Sequence, residues 1–185
     1  MNRIVKDLMV PISAYATVKK GATLFEAVLA LEKAQENYDK TKSQHRAVLI
    51  MDNKNRIVGK LSQLNVLRAI ESESNQPDNV VEIEKYGFSS KFIASLKEQS
   101  RLKGTTFKKM CLKPAGMKVE KFMKTLTDSQ YVEEDTSLDV AIYQLLAGPF
   151  LSLMVVKDGS AVGVLRLTDI FLAVVDAMKD NERKK

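Results

Sequence analysis

An internal repeat is the feature that most constrains the fold of this chain. Shifting the 185-residue sequence by 114 positions aligns residues 5–32 with 119–146 without a gap, and six of the aligned positions are identical. A second block follows in the same order at an offset of 104, where 58–61 aligns with 162–165. Because two blocks recur in the same order, the chain is predicted to fold as two similar halves.

Both copies predict the same series of secondary-structure elements. After an extended stretch, a helix begins at Thr23, and a glutamate three residues later completes a capping box. Two β-branched runs at 47–51 and 57–61 follow, and the polar turn between them is typical of a hairpin. A final helix is predicted to begin near Asn65 in the first copy and near Asp169 in the second. The predicted order is strand, helix, strand, strand, helix in each copy.

Three patterns in these copies resemble the CBS domain. They are a Met-x-Pro at the start, a hairpin sequence Asp-Asn-Lys-Asn-Arg-Ile-Val-Gly, and the related motifs at 59–65 and 163–169. The resemblance covers 5–71 and 119–178, and a tandem pair of such domains is called a Bateman module. It implies an α+β fold with mixed sheets and helices, in which the two repeats pack sheet to sheet with pseudo-two-fold symmetry.

Basic charge is concentrated between the two copies. The chain has a net charge of +6, but the stretch from Lys85 to Lys124 holds eleven Lys or Arg against two Glu, a net +9 that leaves −3 elsewhere. Within this stretch, Ser89 and Ser90 are predicted to cap a helix with Phe92 on its apolar side. In one interpretation, the apolar side of the insertion covers the module and its lysines are solvated. In the other, the insertion docks an acidic protein, nucleic acid or an anionic membrane. The predicted parts are CBS repeat 1 at 1–71, a basic, partly helical insertion at 72–118, CBS repeat 2 at 119–178 and a charged C-terminal tail at 179–185.

The resemblance also implies a ligand. Clefts between CBS repeats bind adenosine-containing ligands, here an adenine nucleotide (AMP, ADP or ATP) or S-adenosylmethionine. In the family motif Ser/Thr-x-x-Asp/Asn, the hydroxyl faces phosphate and the carboxylate or amide faces the ribose, and Ser62 and Asn65 fit it. Asp169 fits the ribose position of the second copy, but Arg166 replaces the hydroxyl and either pairs with phosphate or fills the cleft. In the alternative interpretation, Asn65 and Asp169 only cap helices and Arg166 points to water.

Four further positions are candidates for ligand binding. His45 and Arg46 resemble the His-Arg pair that reaches nucleotide phosphate in the gamma subunit of AMP-activated kinase, although a histidine here is also typical of an ordinary surface residue. The equivalent positions of the second copy are apolar, so any phosphate site is asymmetric. Thr17 and Tyr131 precede the first helix of each copy, where family members present backbone groups and a hydroxyl to adenine and ribose. Tyr131 either stacks on the ligand or plugs the cleft.

Catalysis has little support in the composition. The sequence holds one histidine, His45, and one cysteine, Cys111, so one chain forms no disulfide and no Cys/His metal cluster. These two residues lie far apart in sequence, and no other base is placed to activate a nucleophile, so the chain is predicted not to be an enzyme. The longest uncharged run, 140–156, contains a Gly-Pro pair and predicts no membrane span. A reducing, cytoplasmic location is expected.

Two functions from different classes fit these residues. The first is a stand-alone regulatory module that binds an adenine nucleotide between its repeats and signals to a partner protein that the sequence does not identify. The second is a ligand-free interaction or dimerisation scaffold whose basic insertion docks an acidic protein or nucleic acid. A homodimer is expected in either case, because many modules of this family dimerise into a disc.

Overall fold

The computed structural model describes residues 3–36, 45–74, 89–92, 94–95, 98, 107–148 and 150–182. The strands in these ranges are β1 (Val10–Pro11), β2 (Thr17–Lys19), β3 (Ala47–Met51), β4 (Ile57–Ser62), β5 (Tyr131–Glu133), β6 (Ser152–Lys157) and β7 (Ser160–Arg166). The α-helices with uninterrupted description are α1 (Leu24–Glu36), α2 (Gln63–Ser74), α3 (Phe107–Ala115), α4 (Leu138–Ala147) and α5 (Leu167–Glu182).

The strands form two sheets of related topology. One has the order β2-β3-β4 and the other the order β1-β7-β6-β5. Each sheet contains one parallel pair, β2 with β3 or β5 with β6, beside an antiparallel hairpin. Both sheets are therefore mixed, which confirms the predicted α+β fold of two repeats. Helices α1 and α2 cover the first sheet, and their apolar residues form one core with it.

The first helix of the first repeat is capped as its sequence predicts. The Thr23 hydroxyl accepts a hydrogen bond from the Glu26 N–H at 3.2 Å, and the Glu26 carboxylate accepts one from the Thr23 N–H at 2.6 Å. These bonds satisfy two backbone donors that the first turn of a helix leaves open. The hydrogen bond from the Thr23 backbone also lowers the pKa of Glu26.

The last helix of each repeat begins two residues earlier than predicted, at Gln63 and Leu167 instead of Asn65 and Asp169. In the first repeat, the reason is a second capping box. The Ser62 hydroxyl accepts from the Asn65 N–H at 3.2 Å, and the Asn65 carbonyl oxygen accepts from the Ser62 N–H at 3.1 Å. Asn65 therefore occupies the third position inside α2 and Ser62 occupies the N-cap.

The segment that leads into each repeat packs against the other repeat. The Val5 N–H donates to the Thr136 carbonyl at 2.9 Å, and the equivalent Val119 N–H donates to the Ala22 carbonyl at 2.9 Å. Val5 is fully buried in the core of the second repeat, whereas Val119 is fully buried in the core of the first. The two lead-in segments therefore cross, which the sequence pattern did not predict.

The crossing continues into the sheets. On β1, Val10 pairs antiparallel with Val164 of β7. At the equivalent place in the other half, the backbones of Lys124 and Lys60 exchange two hydrogen bonds of 2.9 Å. Because these contacts recur at the offsets found in the sequence, the two halves are related by a pseudo-two-fold axis.

A glycine in each hairpin accommodates a methionine of the opposite lead-in segment. A Cβ atom placed on Gly59 would lie 2.7 Å from the Met123 sulfur, and one placed on Gly163 would lie 2.6 Å from the Met9 sulfur. Both distances are shorter than van der Waals contact, so the close approach of the two halves requires glycine at both positions.

Part of the basic insertion is helical. Helix α3 packs against α2 and α1, and its Pro114 is nearly fully buried. The predicted cap at Ser89 is present, because its hydroxyl accepts from the Phe92 N–H at 3.3 Å. Much of the stretch from Lys85 to Lys124 lies outside the described residues. Within the described ranges, no helix is both long and apolar enough to cross a lipid bilayer.

The crossed packing makes a stability prediction. Gly59→Ala is expected to lower the free energy of unfolding by about 1–3 kcal/mol, because the new methyl group overlaps the Met123 side chain. The loss should be smaller in a Met123→Ala background, where the sulfur is removed. Urea unfolding measures both effects, with Gly116→Ala as the control because a Cβ there meets nothing within 4 Å. Equal losses in both backgrounds would contradict the proposed contact.

Candidate functional site

A layer of apolar side chains joins the two sheets along the pseudo-two-fold axis, and we call it the seam. Its buried members come from both halves and are Val10, Tyr15, Leu49, Met154 and Val164. Leu49 and Met154 occupy equivalent positions on β3 and β6. The equivalent of Val164 on β4 is Lys60, so one position of an otherwise apolar layer carries an ammonium group.

Lys60 contacts the opposite half directly. Its Nζ donates a hydrogen bond of 2.8 Å to the hydroxyl of the buried Ser152 on β6. Burial, together with the nearby charge of Lys124, lowers the pKa of Lys60. The sequence analysis missed Lys60 and Ser152, although a comparison of the two copies at Lys60 and Val164 would have shown the unexpected charge.

The Ser62 and Asn65 side chains meet where β4 enters α2, beside the backbone of Arg46, and we call this place the first cleft. The Ser62 hydroxyl donates to the Asn65 carbonyl oxygen at 2.5 Å, in addition to the capping bonds. None of the described residues accepts a hydrogen bond from the Asn65 Nδ2 group. The Gln63 N–H donates to the Arg46 carbonyl at 3.0 Å, which holds the exposed Arg46 beside the start of α2. Ser62 and Asn65 therefore form the helix cap and are also the side chains predicted to bind the ligand.

The equivalent place in the second repeat, the second cleft, contains a buried ion pair. Arg166 Nε donates to one Asp169 carboxylate oxygen at 2.6 Å and its Nη2 donates to the other at 2.5 Å. The two side chains are only 7% and 13% exposed. Arg166 is therefore buried and does not point to water, and it engages the carboxylate that the family resemblance assigns to ribose.

His45 is fully buried rather than a surface residue. Its ring lies 4.4 Å from the Tyr15 ring in an edge-on arrangement, and its carbonyl accepts from Gln35 Nε2 at 2.6 Å. Burial and the Arg166 guanidinium lower the pKa of His45, while a hydrogen bond to the Ala14 backbone and the Asp169 carboxylate oppose the shift. His45 thus lies near the ion pair of the second cleft.

The predicted His45-Arg46 pair is consequently divided. His45 turns into the interior toward Arg166 of the other repeat, whereas Arg46 is exposed beside the first cleft. The structure thus separates the two side chains of the pair, and the asymmetry of a phosphate site stays a prediction.

Thr17 and Tyr131 occupy equivalent positions at the starts of β2 and β5. Thr17 pairs with Leu49 and Tyr131 with Met154, so both are adjacent to the seam. Both are partly buried, and the Tyr131 ring packs against the seam. The Tyr131 carbonyl accepts from Gln144 Nε2 at 2.8 Å, so one backbone acceptor predicted to meet adenine is already engaged.

A surface groove of about 360 Å³ lies elsewhere, at the turn of the first hairpin. Its walls include Asp52 and Arg56, which form an ion pair of 2.7 Å, and none of the predicted site residues lines it. The hydrogen bond from the Arg56 backbone is the main cause of the lowered pKa of Asp52. The charges of Asp52 and Arg56 neutralise each other within the turn.

His45 makes the stability of the fold sensitive to mild acid. Because its pKa is lower in the folded state, the unfolded chain binds a proton more readily below pH of about 6.5. Stability should therefore be complete above that pH and decline as the pH falls toward the folded pKa, with a slope of up to about 1.4 kcal/mol per pH unit.

Because His45 is the one histidine in the sequence, urea unfolding between pH 5.5 and 7.5 measures this slope. His45→Phe copies the residue at the equivalent position, Phe150, and should remove it. An unchanged slope in that variant would assign the acid sensitivity to other groups.

Known proteins are similar to this chain over the same two repeats. The family model for the CBS domain matches residues 5–72 and 119–176, which together form more than half of the chain. No curated protein is similar enough in sequence to be matched.

Solved structures share the fold at low sequence identity. MJ1004 from M. jannaschii is 17% identical with a TM-score of 0.57, and the alignment covers 94% of this chain but only 60% of that protein. CBSX2 in complex with AMP is 22% identical with a TM-score of 0.59, and the alignment covers 94% of this chain and 97% of CBSX2. The cytosolic domain of the Mg²⁺ channel MgtE in complex with ATP is 17% identical with a TM-score of 0.53, covering 90% of this chain and 46% of that one.

Proposed function

The chain belongs to the CBS-domain family, and we propose that it is a regulatory module that binds an adenine nucleotide between its repeats and signals to a partner protein. Two proteins with the same fold support the ligand class, since CBSX2 was solved with AMP and the MgtE cytosolic domain with ATP. The proposal for this chain itself rests on the side chains of the first cleft.

The grouping of Ser62, Asn65 and Arg46 at the start of α2 carries the proposal. The beginning of a helix carries a partial positive charge that favours phosphate. The Gln63 and Asn65 N–H groups already donate to the Arg46 carbonyl and the Ser62 hydroxyl, so the charge rather than free donors favours the anion. The Arg46 guanidinium adds a fork of donors suited to phosphate oxygens. The Asn65 Nδ2 group supplies donors for a ribose hydroxyl. These three functions lie on one short stretch of surface, as binding of a nucleoside phosphate requires.

The second cleft is closed to a nucleotide in this arrangement. The Asp169 carboxylate is held by both Arg166 donors, and both side chains are largely buried. Removing one partner of a buried ion pair costs about 3–5 kcal/mol, so a ribose that displaced Arg166 would have to offset that loss. We therefore infer one nucleotide per chain, bound in the first cleft.

The charges around the clefts favour a nucleotide over S-adenosylmethionine. Arg46 lies beside the first cleft, and Lys60 lies next to the seam. The sulfonium of S-adenosylmethionine is a cation and is repelled by these groups, whereas phosphate is attracted. AMP, ADP and ATP are the proposed ligands.

Signalling follows from the position of the cleft. The residues of the first cleft belong to the first repeat, but the adjoining seam contains residues of both repeats. A ligand that favours one packing of the halves shifts the population toward that packing. The partner protein would respond to the shape of the module rather than to the nucleotide.

Calorimetric titration tests the proposed ligand. The wild-type chain should bind ATP, ADP or AMP with one site, and Asn65→Ala should weaken binding about 5–10-fold through loss of a ribose hydrogen bond. Asn65→Asp is the control and should retain binding, because one carboxylate oxygen keeps the helix cap while the other accepts from a ribose hydroxyl in place of the Nδ2 donor. Absence of heat with all three nucleotides would overturn the proposal, and an unchanged affinity in Asn65→Ala would move the site elsewhere.

A second candidate function, a dimerisation scaffold, is favoured by one surface. We call it the α4–α5 surface. It exposes the apolar side chains Val140, Tyr143, Leu146, Leu167, Phe171, Leu172 and Met178. Tyr143 and Leu146 are 75% and 78% exposed, values unusual for such large apolar groups.

The first repeat differs at most of the equivalent positions, although Leu29 and Leu67 are apolar there and α1 and α2 also expose Phe25 and Leu64. Five of the seven residues are matched there by polar or charged ones, namely Glu26, Glu32, Gln63, Arg68 and Ser74. At on the order of 100 Å² each, the seven side chains approach the ~800 Å² per partner that a specific interface buries. Exposed apolar side chains on one copy can pack against the same side chains of another, so we propose a second copy of the chain as the partner. Docking through the basic insertion stays a prediction, since much of 85–124 lies outside the described residues.

Analytical ultracentrifugation tests the dimer. The wild-type chain should sediment as a dimer and Leu146→Glu as a monomer, because a carboxylate would be buried at the contact. Leu67→Glu is the matched control on the first repeat, where Leu67 is 62% exposed, and it should leave the dimer intact. A monomeric wild type, or equal disruption by both substitutions, would reject this interface.

A further inference from the structure

Two lysines face each other across the strands beside the seam. Lys60 and Lys124 form an antiparallel bridge through their backbones. The equivalent bridge in the other half joins Val10 and Val164. Like charges placed directly opposite destabilise a pair of strands. One end of the pseudo-symmetric frame therefore carries two positive charges where the other end carries two apolar side chains.

Carboxylates do not neutralise these charges within the part of the chain that the structure describes. The polar contact of Lys60 Nζ is the Ser152 hydroxyl at 2.8 Å. The ion pairs among described residues include neither lysine. Because a hydroxyl does not neutralise an ammonium charge, the half-buried position of Lys60 carries an excess of positive charge.

The position of Lys60 links it to both clefts. Lys60 precedes Ser62 by two residues on β4, so their side chains share one face of the sheet. Ser152 lies directly opposite Arg166 in the other sheet. Lys60 therefore stands between the first cleft and the ion pair of the second cleft.

We propose that Lys60, Lys124 and Ser152 form a phosphate-binding site beside the seam, where the phosphate chain of the nucleotide ends. This inference rests on the proposed function for the nucleoside part of the ligand. Lys60 uses one donor on Ser152 and keeps two for phosphate oxygens. Because the Ser152 oxygen accepts from Lys60, its own O–H is available to donate. The exposed Lys124 covers the solvent side of the site.

The spacing selects the length of the phosphate chain. Two residues along a strand span about 6–7 Å, which separates Ser62 from Lys60. A single phosphate at the start of α2 does not reach that far, whereas a diphosphate or triphosphate does. The site should therefore distinguish ATP and ADP from AMP, and bind inorganic tripolyphosphate weakly in the absence of a nucleoside.

Titration calorimetry on the full chain tests this site with adenosine, AMP, ATP and tripolyphosphate at fixed ionic strength. Lys60→Met should weaken ATP binding at least tenfold and change AMP binding less than threefold. It should also raise the urea midpoint of the ligand-free protein, because a half-buried charge is removed. Lys60→Arg keeps the charge and should keep most of the ATP affinity. Lys54→Met, which removes an exposed lysine at the far end of the same hairpin, is the charge control and should change nothing.

The outcomes are distinguishable. Equal ATP affinity in the wild type and Lys60→Met, or an equal loss in Lys54→Met, overturns the phosphate site and leaves the proposed function standing. Equal affinity for adenosine and ATP also overturns it, since phosphate is then not read. Lys60-dependent binding of tripolyphosphate without any nucleotide binding would retain the phosphate site and reject the adenine ligand. Lys60-dependent binding of ATP together with weaker Lys60-dependent binding of tripolyphosphate supports the nucleotide as the source of the phosphate.

Discussion

The exchange of lead-in segments between the two repeats is the constraint on which the rest of the structure depends. Val119 completes the core of the first repeat and Val5 completes the core of the second, each held by a backbone hydrogen bond of 2.9 Å to the opposite half. Neither repeat can therefore bury its own core without the other. This exchange fixes the two sheets face to face and so forms the clefts between them. The contacts at Gly59 and Gly163 leave little room for a larger side chain between the halves.

The proposed function rests on the departures from symmetry between the two repeats. The backbone frame repeats closely, but Ser62 is replaced by Arg166 in the second copy, and Val164 by Lys60 in the first. The first replacement closes one cleft with an internal ion pair. The second adds positive charge beside the seam, at a cost in stability that a bound anion would offset.

The fold was largely predictable from sequence, because hydrophobic periodicity and capping are local signals. The hairpin runs at 47–51 and 57–61 and the cap at Thr23 were found from such signals. The partner of Asp169 was not, since a motif gives residue types and not which side chain occupies the carboxylate. The burial of His45 also depends on packing between the halves, which no local pattern reports. A position-by-position comparison of the copies would have detected Lys60, but its contact with Ser152 is seen only in the structure.

A crystal structure of the chain grown with ATP would test the central claim most directly. The account predicts one nucleotide per chain, with its ribose at Asn65, its phosphates directed toward Lys60, and the Arg166–Asp169 pair still closed. A nucleotide bound at Asp169 with Arg166 displaced would contradict the assignment of the open cleft. Halves that lie apart, without the exchanged lead-in segments, would contradict the frame itself.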